Sequence, residues 1–131
     1  MTDLALIAAA RAIRDRAYAP YSNHPVGAAI QDEHGVIHVG CNVENAAYPQ
    51  GVCAEASAIS AMIASGARRI AAIAIAGPGP ALCTPCGGCR QKIREFAAAD
   101  TAILICDGSG LRARYTLDQL LPESFGPDNL A

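Results

Sequence analysis

Tryptophan is absent, and aromatic residues make up only 5% of the 131 positions. A core without large rings has to be assembled from small side chains, and the 52% hydrophobic content is rich in alanine. Small residues allow close packing of helix and sheet but each buries little area. A single domain of this length buries roughly two-thirds of its unfolded surface, so an isolated copy would be marginally stable and self-association is expected. Charge of one sign is also lacking, the net value being −2 from ten basic and twelve acidic residues. The pair Arg68-Arg69 is too short to make a basic footprint, so a nucleic-acid partner is not expected. No apolar run approaches the ~20 residues of a membrane span. The start, Met1-Thr2-Asp3-Leu4, lacks the basic, apolar and small-residue regions of a secretory signal. The expectation is a cytoplasmic protein with no membrane partner.

What the chain does have is cysteine, six in all. Disulfides are not expected in that compartment, and the ladder Cys83, Cys86, Cys89 favours metal over redox chemistry. Cys41 and Cys106 lie in or beside apolar strand-like segments and are expected to be small buried hydrophobes.

The periodicity predicts helices over residues 3–18 (with Thr2 as N-cap), 53–65 and 86–98, and a short one after Leu117. Strands are predicted at 26–31, 36–41, 70–76, 102–106 and 111–115. The first two form a hairpin around Asp32-Glu33-His34-Gly35. There is no repeat and no linker, so residues 1–131 read as one domain. The order αββαβαββα implies an α/β protein with a central mixed five-stranded sheet between helical layers.

Two fragments, Cys53-Ala54-Glu55 and Pro85-Cys86-Gly87-Gly88-Cys89, combine into one zinc site. Three thiolates, Cys53, Cys86 and Cys89, leave one tetrahedral position open, which distinguishes a catalytic zinc from a structural one. Cys86 and Cys89 share a face of a first helical turn. Cys53 and Glu55, two apart, can serve one ion only if it lies off the end of their helix. That places zinc between two helix N-termini, where dipoles and free N–H groups stabilise thiolates. Glu55 is then a proton carrier beside the open position. The plainer alternatives are a closed Cys₄ zinc that includes Cys83, or a non-catalytic zinc module with Glu55 as a solvated first-turn acid. Gly87 and Gly88 could serve only for close backbone approach. Asn42 and Glu44 could be ordinary loop residues, and His24, His34 and His38 structural or exposed ones.

Cys-x-Glu followed by Pro-Cys-x-x-Cys is the all-cysteine form of the zinc deaminase signature. Together with Ala19-Pro20-Tyr21-Ser22, Pro25-Val26-Gly27-Ala28-Ala29, Gly40-Cys41-Asn42-Val43-Glu44-Asn45-Ala46, Leu120-Leu121-Pro122 and Ser124-Phe125-Gly126-Pro127, it makes the chain resemble the small homotetrameric cytidine deaminases. The resemblance implies an α/β/α sandwich and one zinc per chain on Cys53, Cys86 and Cys89, with Glu55 shuttling protons. It implies that Asn42 and Glu44 bind the ribose 3′-hydroxyl and that the backbone at Ala54 meets the pyrimidine carbonyl. Tyr48 and Phe125 would enter sites of neighbouring subunits, Phe125 stacking on the base. The expected reaction converts cytidine and deoxycytidine to uridine and deoxyuridine in pyrimidine salvage. The alternative substrate is a modified cytidine or a blasticidin-like nucleoside. Two positions depart from the family pattern: Ala56 where arginine is common after the glutamate, and His24 where phenylalanine commonly lines the base pocket.

Overall fold

The computed structural model describes residues 3–131. In chain order the elements are α1 (Asp3–Arg14), β1 (Gly27–Asp32), β2 (Ile37–Cys41), α2 (Ala54–Ala64), β3 (Ile70–Ala76) and α3 (Gly87–Phe96). They are followed by β4 (Ala102–Asp107), β5 (Gly110–Thr116) and the single turn α4 (Leu117–Leu120). Short 3-10 turns occupy Tyr48–Gln50 and Pro127–Asn129.

The sheet runs β2-β1-β3-β4-β5. β3 and β4 are parallel and the other neighbouring pairs antiparallel. Strand alternation sorts residues by size. Ile30, Ile73, Ile75, Ile103 and Ile105 face one side, with Ala58, Met62 and Ile93 of α2 and α3. Ala29, Ala74, Ala76, Leu104 and Cys106 face the other, against Leu6, Ile7 and Ala10 of α1. Branched side chains thus fill the thicker layer, while alanines let a single helix settle close to the sheet. The result is the expected three-layer α/β/α sandwich.

Two glycines mark the closest approaches. A Cβ on Gly27 would stand 2.2 Å from the Ala10 carbonyl oxygen of α1, and one on Gly40 would stand 2.4 Å from the Ala58 nitrogen of α2. Because β2 and β3 each run antiparallel to β1, their carboxyl ends lie at the same end of the sheet. The segments leading from those ends start α2 and α3, so both helix N-termini meet there.

Several boundaries differ from the sequence reading. α1 stops at Arg14 rather than at 18, because Tyr18 is drawn into the loop beyond β2. Its N–H donates to the Asn42 carbonyl, and its own carbonyl accepts from the Glu44 N–H. Val43 bridges onward to Val52, so this irregular loop is held by backbone pairing. α3 ends at Phe96 rather than at 98; the next turn is closed by Ala98 N–H donating to Thr101 Oγ1, 2.9 Å. The expected N-cap, Thr2, lies outside the described residues. Cys106 is buried as expected, but Cys41, near the end of an edge strand, is only half-buried. His34 is exposed, whereas His38 is structural, its Nε2 lying 2.7 Å from Oδ2 of buried Asp32.

Candidate active site

Cys53 is the N-cap of α2 and Cys86 the N-cap of α3, both with extended backbone (ψ 154° and 167°). Neither caps its helix with a side-chain hydrogen bond, which leaves the sulfurs turned to other use. With Cys89 in the first turn of α3, the three Sγ atoms lie within 4.8 Å of one another. Ligands of a tetrahedral zinc with Zn–S of about 2.3 Å stand about 3.8 Å apart, so a small contraction closes the set. The electrostatics also fit a cation. Burial raises the proton affinity of Cys53 and Cys89, and the Glu55 charge adds to this. Cys86 is shifted the other way, chiefly by the Cys89 backbone N–H. A cation bound among these sulfurs would displace the protons that Cys53 and Cys89 hold more tightly than usual.

Glu55, in the first turn of α2, is 5% exposed. That removes the solvated-acid reading. Loss of hydration pushes its carboxyl above the usual range, with a smaller opposing pull from Lys92. Cys53, Ala54, Glu55 and Cys86 line one cleft of about 420 Å³ together with His24, Asn42, Glu44, Ser22, Val26, Cys83 and Thr84. A larger hollow of about 500 Å³, near Arg69 and Arg94, lies away from this chemistry.

Asn42 and Glu44 are fixed in the cleft wall by the loop they brace. Asn42 Oδ1 accepts from Val26 N–H at 2.9 Å and its Nδ2 donates to the His24 carbonyl at 2.9 Å. Glu44 accepts from the N–H groups of Tyr21 (2.9 Å) and Ser22 (3.1 Å) and from the Ser22 hydroxyl. These bonds, the hydroxyl first, lower its proton affinity and keep it anionic. Each side chain keeps unused hydrogen-bonding capacity.

Tyr48 and Phe125 are not among the residues lining their own chain's cleft. Tyr48 is 75% exposed and packs obliquely on Tyr21, with ring centroids 6.0 Å apart. Phe125 is 57% exposed, its carbonyl held by Gln91 Nε2 at 2.8 Å. Ala56 lies outside the cleft, in a groove with Ile59, Ser60, Gln91 and Lys92. Sequence reasoning missed the role of Arg90. Its guanidinium donates to the Pro85 carbonyl (2.6 Å), the Leu120 carbonyl (2.8 Å) and Thr84 Oγ1 (3.2 Å). Arg90 therefore fixes the segment that delivers Cys86, and the only sequence signal for it was its place next to the second motif.

A family model described as the cytidine and deoxycytidylate deaminase zinc-binding region matches residues 1–105. The chain belongs to this zinc-dependent cytidine deaminase family. It is 38% identical to the cytidine deaminase of Sporosarcina psychrophila over 126 residues, 96% of this chain and 93% of that one. It is 36% identical to that of Halalkalibacterium halodurans, covering 95% of each. Among solved structures, cytidine deaminase from Burkholderia pseudomallei superimposes with a TM-score of 0.88 at 41% identity, over 95% of this chain and 100% of that one. Within the family's frame zinc is the cofactor, and the Cys53, Cys86, Cys89 cluster suits it.

Proposed function

We propose that this chain is a hydrolytic deaminase of free cytidine and deoxycytidine, releasing uridine or deoxyuridine and ammonia. The observation that carries the proposal is a buried glutamate and three converging cysteines at paired helix N-termini, with Glu55, Cys53 and Cys86 lining one cleft. Cys53, Cys86 and Cys89 would hold zinc, which would supply the polarisation that makes water a nucleophile at neutral pH. Glu55 takes a proton from the attacking water and delivers it to N3 of the pyrimidine. As the C4–N4 bond breaks, the same carboxylate passes the second proton of the water to the leaving amine and ends unprotonated. Its raised proton affinity suits a group that must hold a proton between those transfers.

Asn42 and Glu44 orient the ribose through the 3′-hydroxyl, and the Ala54 backbone meets the pyrimidine carbonyl. His24 forms part of the base-side wall. Residues 1–131 act as one catalytic domain in a cytoplasmic homotetramer serving pyrimidine salvage. Tyr48 and Phe125, exposed on their own chain, complete the sites of neighbours. Nucleic acid and membranes are not partners in this reading; among the described residues no helix is long and apolar enough to cross a membrane. The test is to incubate purified protein with cytidine and follow the ultraviolet spectrum. Conversion to the uridine spectrum is expected, with deoxycytidine and modified cytidines run in parallel to rank substrates. An unchanged spectrum with zinc-loaded protein would reject the proposal.

A further inference from the structure

His24 and Cys83 are 59 residues apart in sequence and meet in the cleft wall, with Cys83 Sγ 3.6 Å from His24 Nε2. A tetrahedral zinc with Zn–S of about 2.3 Å and Zn–N of about 2.0–2.1 Å spaces a sulfur and a nitrogen ligand about 3.6 Å apart. We propose that His24 and Cys83 form a second soft-cation site in the cleft, and that zinc in excess of one per chain binds there and blocks the nucleoside.

Both donors are already in place. The His24 N–H donates to Ser22 Oγ at 3.0 Å, and its carbonyl accepts from Asn42. Cys83 is pressed against the backbone at Gly77, where an added Cβ would come within 2.4 Å of the Cys83 Cβ. Thiol and imidazole are the donor types that divalent zinc prefers. The charge around them favours a cation, since Glu55 acts electrostatically on Cys83, and Glu44 interacts with His24. With two protein donors, the other positions fall to water, so the site is weaker than the three-thiolate centre. Burial pushes the Cys83 thiol up to about 11. An incoming ion must therefore displace the thiol proton. The site fills only when zinc exceeds the catalytic requirement, and each ion bound releases a proton. The inhibitory half of this inference rests on the cleft being the nucleoside site; the binding half does not.

The test starts from protein carrying one zinc per chain, titrated with further Zn²⁺. Equilibrium dialysis reads uptake, an unbuffered indicator reads proton release, and cytidine turnover reads inhibition. A second, weaker equivalent is expected, accompanied by proton release and by inhibition that cytidine competes away. His24→Phe and the near-isosteric Cys83→Ser should each raise the zinc needed for uptake at least the roughly tenfold that loss of even an outer-shell partner costs. Inhibition is scored against each variant's own rate at one equivalent. Absence of a second equivalent in the wild type, or its retention in both variants, overturns the site. Uptake without inhibition overturns its placement in the nucleoside path, whereas failure of the deaminase reading would show separately as no turnover at one equivalent.

Discussion

Glu55 combines deep burial with a position two residues from a zinc-ligand candidate, and burial raises its affinity for protons. A carrier between water and a ring nitrogen works best when its proton affinity is brought toward the operating pH. Glu55→Gln keeps the shape but replaces the carboxylate with an amide that cannot take up and return a proton. It should retain one zinc per chain while turnover falls by roughly 10²–10⁴-fold. Metal analysis beside a rate measurement checks this, and loss of zinc in the variant would make Glu55 a ligand instead. Glu55 was legible in the sequence because chemistry within three residues leaves a local pattern. The His24–Cys83 contact was not legible, since no local rule links residues brought together by a loop and a distant segment. Arg90 was hidden for the same reason, its partners at Thr84, Pro85 and Leu120 being assembled only by the fold.

At the scale of elements, the position of α2 depends on Gly40. The backbone of α2 lies so close to β2 that a Cβ on Gly40 would meet Ala58 N at 2.4 Å and Ala54 O at 2.7 Å. Gly40→Ala should therefore push the N-terminal half of α2, which carries Cys53 and Glu55, off the sheet. A loss of about 1–3 kcal/mol is expected for such overpacking, read by urea unfolding, together with reduced turnover. Unchanged stability and rate would mean that α2 is not seated by this contact. The turn joining β4 to β5 gives a second case. Hydrogen bonds from the Ser109 hydroxyl and N–H, then Arg112, hold Asp107 down to about 2 from its usual 3.8. A depressed carboxyl contributes stability above its unfolded value, and that contribution is lost as pH falls through the folded one. Asp107→Asn should thus be less stable than the wild type at pH 7, with the difference shrinking between about pH 4 and pH 2. Urea midpoints across that range check it, and a gap independent of pH would assign the effect to packing. The run of β-branched residues and alanine over 70–76 made the interior strand β3 legible in the sequence. The end of α1 was not, because nothing local stops a helix at Arg14 and the competing partners, Asn42 and Glu44, lie in another segment.

At the scale of the whole molecule, two rings stand apart from the cleft of their own chain. Tyr48 and Phe125 stand exposed and outside the lining of their own chain's cleft, and a core so poor in aromatics leaves few other rings to serve. If assembly places Phe125 of one copy over the base bound by another, stacking there contributes roughly 1–3 kcal/mol, as at single-strand binding sites. Phe125→Ala should then lower turnover at limiting cytidine by about one to two orders of magnitude while zinc stays bound. Mixing Phe125→Ala with Glu55→Gln under conditions that exchange subunits separates a shared site from a self-contained one. In a shared site some mixed assemblies pair an intact Glu55 with a neighbour's intact Phe125, so part of the activity returns. In a self-contained site every chain carries its own defect and nothing returns. Recovery should rise with the extent of exchange, followed by native mass spectrometry of the mixture. A fully exchanged mixture with no recovery, or a stable monomer with full activity, would show that each chain completes its own site.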